Sequence, residues 1–441
     1  MDALGVPTAA MTATGASVTR YTNCKVVCNG DVLPGDVWVR EGKIINPTDL
    51  FYGLKKLPDT VVDCRGLIVS PGFVDIQING AFGVDFSSLP ESSVSECIEK
   101  VARGLVTYGV TSFCPTIVTS PPDYYKKVLK GLNGLQSGKN RANVLGFHLE
   151  GPFISMEKKG AHNREYVRTE LSPSAVLSCY HSLQDVRIIT LAPESSGAME
   201  TIRWLRKEHD DVIVSLGHSS AHLGVAEEAI KSGAKLVTHV FNAMLPFHHR
   251  DPGMVGLLTS LDIGPGPAFF SLITDGIHTH ETVQRIAFKA NPQGIILITD
   301  AIAATGLPDG NHFLGDMKVT VKEGVAKITG TGTLAGSVAT MDKCVKEFKK
   351  ATDCTLAQAI EAATLHPAQL LGLDDTKGTL DYGADADLVF LDESLTVQAT
   401  CVAGDIVWKA PGCVAGDIVW KTPGCVAGDI VWKTPGGALC S

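Results

Sequence analysis

Four short segments each put one metal- or proton-competent side chain at the end of an apolar, strand-like run. They are His148-Leu149-Glu150-Gly151-Pro152-Phe153, Leu216-Gly217-His218-Ser219, Thr238-His239-Val240-Phe241-Asn242-Ala243-Met244 and Ile298-Thr299-Asp300-Ala301. Glu150, His218 and His239 together offer one carboxylate and two imidazoles to a divalent metal. Three protein ligands with a fourth position left open is the pattern of a catalytic metal rather than a structural one. A carboxylate at the end of a fourth run, Asp300, is then placed to take a proton from water at such a site and hand it to a leaving group. A lone histidine at the end of a buried run is as often a hydrogen-bonded core residue, and Asp300 alone would read as a helix cap. The case rests on four such residues ending four separate runs. Gly151-Pro152 directly after Glu150 forces a sharp exit that aims the carboxylate inward.

The histidine distribution narrows the metal count. Of thirteen histidines none precedes His148, eleven lie from His148 to His280, and two follow. A two-metal barrel site opens with a His-x-His pair on its first strand. Here that strand reads Asp75-Ile76-Gln77-Ile78-Asn79-Gly80, and amide side chains are poor zinc ligands. One metal is therefore expected. Zinc suits two histidines and a glutamate, although iron, cobalt or manganese bind such donors too.

Other residues suit a polar, anionic ligand. Asn242 and Ala243 follow the His239 run, where backbone N–H groups can hold a phosphate. Arg250, in His248-His249-Arg250, has the planar fork that pairs with phosphate or carboxylate. Asp275, Gly276, Ile277 and His278 end a further run, Ala161 and His162 lie in a polar loop that can act as a lid, and Leu334, Ala335 and Gly336 lie in a glycine-rich loop. His181, His209, His222, His280, His312 and His366 read as surface or packing residues, with His366-Pro367 ending or kinking a helix near the floor of the fold.

The elements that must position these residues follow from periodicity. Eight apolar runs, at 73–78, 111–117, 144–149, 187–191, 212–216, 236–241, 269–274 and 295–299, read as buried parallel strands. Apolar spacing predicts helices over 94–108, 123–135, 225–232 and 282–290. After the sixth run a polar, histidine-rich loop at 246–252 stands instead. Strands alternating with helices argue for an α/β fold, a (β/α)8 barrel, over an open doubly wound sheet, and in such barrels chemistry sits at the C-terminal strand ends. Short strands with Asn29-Gly30 and Glu41-Gly42 hairpin signals at one end, and a similar pattern after Gly378, predict one small β-sandwich built from both chain ends. The expected organisation is a disordered start at 1–20, β-sandwich at 21–70, barrel at 71–375, β-sandwich again at 376–409, and a duplicated tail at 410–441. In that tail the segment from Cys401 to Lys409 recurs almost verbatim from Cys413 and from Cys425, which reads as a tandem duplication or an assembly error.

Bulk properties exclude several classes. With 38 basic and 47 acidic residues the net charge is −9, which does not suit a sequence-independent nucleic-acid binder. No apolar run reaches the roughly 18 residues that span a membrane. The twelve cysteines form no CxxC pair, and in a chain this long they read as reduced thiols of a cytoplasmic protein.

The ordered set Pro71–Gly80 (PGFVDIQING), HLEGPF, LGHS, THVFNAM, FHHRDPG, DGIH and ITDA resembles the N-acetylglucosamine-6-phosphate deacetylase family of the amidohydrolase superfamily, in its animal form. The likeness runs from about Tyr21 to Trp408. It implies hydrolysis of the acetamide of an amino-sugar phosphate, with Glu150, His218 and His239 as metal ligands and Asp300 as the acid/base. It implies substrate contacts from Ala161, His162, Asn242, Ala243, Arg250, the Asp275–His278 stretch and the Leu334–Gly336 stretch. It also implies a homodimer in which Arg250 serves the partner subunit's substrate. The alternatives are a deacetylase of a related sugar phosphate, such as N-acetylgalactosamine 6-phosphate, and a catalytically silent scaffold of the same fold.

Overall fold

The computed structural model describes residues 16–28, 30–53, 55–132, 135, 138–263, 268–314, 317–413 and 419–420. The eight apolar runs form the strands of a nearly closed parallel barrel: β1 (Phe73–Ile78), β2 (Val110–Val118), β3 (Phe147–Glu150), β4 (Val186–Leu191), β5 (Ile213–Leu216), β6 (Leu236–Val237), β7 (Phe269–Ile273) and β8 (Ile295–Ile298). They pair in chain order from β1 to β8. Backbone hydrogen bonds from Asp300 N to Gln77 O (3.0 Å) and from Asn79 N to Ala301 O (2.7 Å) join the two ends of the sheet. There the Thr299 hydroxyl also donates to buried Asp75 (2.6 Å). Every residue of these strands except Val118 and Arg187 is buried. They therefore read as continuous apolar runs rather than as alternation.

Helices α1 (Val94–Leu105), α2 (Pro122–Val128), α3 (Pro173–Tyr180), α4 (Ala198–Glu208), α5 (Leu223–Ser232), α6 (Glu281–Ala290) and α7 (Met341–Thr352) ring the barrel. Helix α2 stops well short of position 135, close to Gly131. A β-carbon at Gly131 would lie 2.2 Å from Val94 Cγ1, so this stretch packs tightly on α1. The third run is split, because Gly146 takes a left-handed φ of +126° between Asn143–Val144 and β3. The sixth strand ends at Val237 instead of 241, since His239 and Phe241 both have positive φ. His366-Pro367 does not end a helix. It lies in the first turn of α9 (Leu365–Leu371), which follows α8 (Leu356–Glu361), at a position where proline removes no needed helical donor.

The two chain ends share one nine-stranded sheet, seven of its strands ordered Asp405–Lys409, Val397–Val402, Leu388–Leu391, Ile68–Pro71, Val18–Cys28, Asp31–Arg40, Lys43–Ile44, with Thr60–Asp63 and Val419–Trp420 off that path. It closes over its own core, which includes Tyr21, Val39, Val69, Leu388, Phe390 and Cys401. The first strand begins at Val18, and residues 1–15 of the expected disordered start lie outside the described residues. In the second tail copy Val419–Trp420 pairs antiparallel with Thr60–Asp63, and the third copy lies outside the described residues. A three-stranded antiparallel sheet follows β8: Gly310–Leu314, Met317–Lys322 and Val325–Ile328. It was not anticipated, although Val319-Thr320-Val321 before Glu323-Gly324 carries a hairpin signal. Nine of the described cysteines are free. No helix among the described residues is long and apolar enough to cross a membrane.

Lys377 ties the terminal sheet to the barrel. Its ammonium donates to Asp385 (2.9 Å) and Asp387 (2.7 Å), and Asp387 also accepts from Asn143 just before β3 (3.2 Å). Burial works against the charged amine, but Asp387 and Asp385 outweigh it and raise its pKa. Removing one partner of a buried pair strands the other charge. Lys377→Met should therefore cost about 3–5 kcal/mol of unfolding free energy. Lys43 also meets Asp385 but is 46% exposed, so Lys43→Ala should cost under about 1 kcal/mol. Urea unfolding of both variants measures the difference, and equal losses would remove Lys377 from this role.

Candidate metal centre

Glu150 is the last residue of β3, and its surroundings are built to hold it. The Gly151 carbonyl accepts from the hydroxyls of two buried tyrosines, Tyr125 (3.1 Å) and Tyr180 (3.0 Å). A β-carbon at Gly151 would lie 2.3 Å from Thr119 Oγ1, and its φ is +85°, so glycine is required there. Gly217 separates β5 from His218. His239 follows β6 by one residue beyond Thr238, and its backbone N–H donates to Ser271 Oγ (2.7 Å). His218, His239 and Asp300 all adopt positive φ (48°, 30° and 47°). Each such residue costs about 1–3 kcal/mol, and here the left-handed turn swings its side chain into the barrel mouth.

Three donor atoms meet there. Glu150 Oε1 lies 3.1 Å from His218 Nε2 and 3.0 Å from His239 Nε2, and the two imidazole nitrogens are 3.1 Å apart. Ligand atoms around a tetrahedral zinc at about 2.0–2.1 Å are about 3.3 Å apart, so the triangle matches in scale. The tautomer of His218 is set, because its Nδ1 lies 2.8 Å from the Lys158 carbonyl and must donate to it. In the neutral ring Nε2 then presents a lone pair toward Glu150 and His239, an arrangement that a cation reconciles. All three residues are buried. The donor set therefore fits a divalent metal.

His162 is the competing ligand, since Glu150, His162 and His218 also offer ligand atoms within 4.8 Å of one another. Its hydrogen bonds argue otherwise. Thr119 N–H donates to His162 Nδ1 (3.2 Å), which leaves the ring proton on Nε2, 4.0 Å from Glu150 Oε2. Burial and the neighbouring His218 push its pKa down to about 3, so the ring is neutral. A neutral imidazole with Nε2–H facing the site can donate a hydrogen bond there, whereas a metal ligand needs that nitrogen's lone pair.

Gln77 and Asn79 have a definite role where sequence reasoning saw only missing imidazoles. Gln77 Nε2 donates to Glu150 Oε1 (3.0 Å) and reaches Asp300 Oδ1 (3.4 Å), and Asn79 Nδ2 donates to Asp300 Oδ1 (2.8 Å). The two amides hold two carboxylates beside each other. Burial opposes ionisation of Glu150, yet hydrogen bonds with His218 and His239 hold its pKa well below the usual carboxylate range. Asp300 moves the other way, to about 6, through burial and the charge of Glu150.

The other predicted residues fall at varied distances from this centre. Ser337 N donates to Asp300 O (3.0 Å), which lays the Leu334–Gly336 stretch against Asp300, although the Ala335 side chain packs into the core of the three-stranded sheet. Ala161 packs partly on that same core. Asn242 and Ala243 lie between His239 and Ser219, with Ser219 N donating to Ala243 O (3.1 Å), and the Asn242 side-chain nitrogen is buried without a partner. Arg250 is exposed and is hydrogen-bonded to its neighbour His249 (3.0 Å). Sequence reading also missed Glu194, which accepts from Ser219 Oγ (2.6 Å) and Ser220 N (2.6 Å) and fixes the turn after His218. No local pattern marks it.

Residues 68–407 match the Amidohydrolase family, so the chain belongs to that family. It is 52% identical over 401 residues to N-acetylglucosamine-6-phosphate deacetylase of Mus musculus, covering 90% of this chain and 97% of that one. The crystal structure of N-acetylglucosamine-6-phosphate deacetylase from Pasteurella multocida superposes with a TM-score of 0.78 at 31% identity, covering 88% of this chain and 99% of that one. A point mutant of the Mycobacterium smegmatis deacetylase, in complex with N-acetyl-D-glucosamine-6-phosphate, gives a TM-score of 0.76 at 30% identity, covering 89% and 99%.

Asp275 and His278 form a pair whose titration can be read directly. Asp275 accepts from the backbone of Ile277 and His278 (both 2.8 Å) and pairs with the His278 ring (2.7 Å). Burial favours neutral His278, but Asp275 outweighs it and raises the pKa above 6.5. Burial likewise opposes the Asp275 charge, and His278 and the backbone donors outweigh it. The contribution of His278 is thus complete below 6.5 and fades as pH rises through its elevated value. That of Asp275 is present above 3.8 and fades as pH falls through its depressed value. In chelator-stripped protein, an NMR titration should place His278 above 6.5. Asp275→Asn should bring it below, and an unmoved midpoint would refute the pairing.

Proposed function

We propose that this amidohydrolase removes the acetyl group of N-acetylglucosamine 6-phosphate, giving glucosamine 6-phosphate and acetate. The observation that carries this reading is the meeting of Glu150 Oε1, His218 Nε2 and His239 Nε2 within 3.1 Å. Asp300 lies beside them, in a chain akin to such deacetylases over nearly its whole length.

Glu150, His218 and His239 would hold one divalent ion, and zinc suits this donor set. When bound, the ion supplies a Lewis acid beside the acetamide and makes water a better nucleophile. Asp300 takes the proton of the attacking water and returns it to the sugar nitrogen as the C–N bond breaks. Its pKa of about 6 sits where a group can both accept and return a proton near neutrality. His162 donates Nε2–H to the acetyl oxygen as charge builds on it. Gln77 and Asn79 keep Asp300 turned toward Glu150. His278 and the Asp275–Ile277 turn line the sugar side, together with the Leu334–Gly336 stretch and Ala161. The phosphate is held by the unpartnered side-chain amide of Asn242, by the Ala243 N–H and by an arginine. Arg250 lies exposed on its loop, which favours a homodimer in which it serves the partner's substrate. Nine free cysteines among the described residues favour a reducing compartment, and we infer a cytoplasmic enzyme.

Purified protein should release acetate from N-acetylglucosamine 6-phosphate, lose that activity on chelation, and regain it with added zinc. The N-acetylgalactosamine epimer is the control for sugar specificity, and faster release from it would reassign the substrate. A folded, metal-loaded protein that releases no acetate from either would overturn the reading. Asp300→Asn should keep its metal but lose turnover by about 10²–10⁴-fold. Near-normal turnover would remove Asp300 from the acid/base role.

A further inference from the structure

Directly beneath the triangle lies a chain of buried polar side chains that the proposed chemistry does not use. His148 is two residues before Glu150 on β3, so both side chains point into the barrel. Its Nδ1 lies 3.0 Å from the Ile76 carbonyl on β1, and its Nε2 lies 2.8 Å from Thr190 Oγ1 on β4. Thr190 Oγ1 meets Thr238 Oγ1 at 2.8 Å, and Thr238 Oγ1 meets Ser215 Oγ on β5. All four side chains belong to residues with 0% exposure.

The polarity of this chain follows from donor counting. A fully buried imidazole facing a carbonyl and a hydroxyl has no counter-ion in hydrogen-bond contact, so it is neutral. Ile76 O can only accept, so Nδ1 carries the ring proton and Nε2 accepts from Thr190. Each hydroxyl has one hydrogen. Thr190 has then spent its own and accepts from Thr238, which in turn accepts from Ser215. Every bond is single-valued, and the row fits tightly. A β-carbon at Gly217 would lie 2.7 Å from Thr238 Cβ and 2.9 Å from Thr190 Cγ2.

The row links the strands that carry the centre above it. Ile76 precedes Gln77 on β1, His148 precedes Glu150 on β3, Ser215 precedes His218 on β5, and Thr238 precedes His239 after β6. Thr190 on β4 bridges them, and its carbonyl also accepts from Gly151 N (3.3 Å). We propose that His148, with the hydroxyls of Thr190, Thr238 and Ser215, is a positioning layer that sets the mutual spacing of Glu150, His218 and His239 and thereby the affinity of the site for a divalent cation. This rests on the reading of those three residues as the metal ligands.

The test measures zinc affinity by competition with a chromogenic chelator, alongside thermal melts and steady-state kinetics at saturating zinc. His148→Leu and the near-isosteric Thr190→Val should weaken zinc binding about 10–100-fold, the usual cost of losing a group that orients a metal ligand. KM at saturating zinc should stay within about twofold, because the row does not reach the sugar. His148→Gln should recover most of the affinity, since its amide can donate to Ile76 O and accept from Thr190. Thr190→Val carries the test if His148→Leu does not fold. Wild-type zinc affinity in a folded Thr190→Val, whether or not its melting temperature falls, overturns the proposal. Glu150→Gln tests the premise separately. Undiminished zinc affinity in that variant overturns the ligand assignment, whereas lost affinity there with none lost in Thr190→Val overturns the positioning layer alone.

Discussion

The structure depends on burying one ionised carboxylate. Glu150 is 2% exposed at the end of an apolar strand, where an unpaired charge would cost far more than a strand end can supply. Its compensation is specific. An amide from β1 donates to Oε1, and two imidazoles from beyond β5 and β6 approach the same atom. None of those partners is near Glu150 in sequence. The barrel must therefore close with β1, β3, β5 and β6 in one register before the charge is satisfied at all. That requirement accounts for features that look local, such as the tyrosine pair on Gly151 O and the row of hydroxyls under the site.

Backbone strain is also present at this place. His218, His239, Phe241, Ala243 and Asp300 all hold left-handed conformations that L-residues avoid. A strand end that continued straight would carry its next side chain up and away along the barrel axis. The left-handed turn instead folds that side chain over the mouth. Rigid strands beneath and fixed loop contacts above over-determine these conformations, including Glu194 on the Ser219 turn and Ser271 on His239 N. Strain that its surroundings over-determine in this way is a mark of a functional site.

Most of the fold was legible in the sequence because a barrel buried on both faces writes itself as apolar runs ending in polar residues. Phe73–Ile78 and Ile295–Ile298 needed only that signal. The sixth run illustrates the limit. Residues 236–241 are strand-like in composition, but the chain needs His239 turned inward, and no propensity shows that Phe241 will sit at φ 80°. The three-stranded sheet at 310–328 was overlooked for a different reason. Its strands are half-exposed and gain their core only by packing on Ile302, Ala304 and Ala335. His148 lay inside a recognised motif, yet its meaning comes from Ile76 and Thr190, which are distant in sequence. Residue types and strand ends were readable, whereas tautomers, donor directions and which histidine faces which oxygen depend on long-range packing.

The amides at Gln77 and Asn79 bear on the proposed single centre. A first strand with two imidazoles would place two more ligands beside Glu150 and Asp300, and both carboxylates would then be drawn into metal coordination. An amide offers its N–H to a carboxylate and cannot offer that nitrogen to a cation. Gln77 and Asn79 therefore supply the positive ends of dipoles where a second cation would otherwise be needed, enough to let two carboxylates share a buried mouth. They do so without engaging the lone pairs of Asp300 as a metal would. Asp300 keeps a pKa near neutrality because its neighbours stabilise its charge only in part. On this reading, exchanging two ligands for two donors leaves one carboxylate to bind metal and frees the other to move a proton.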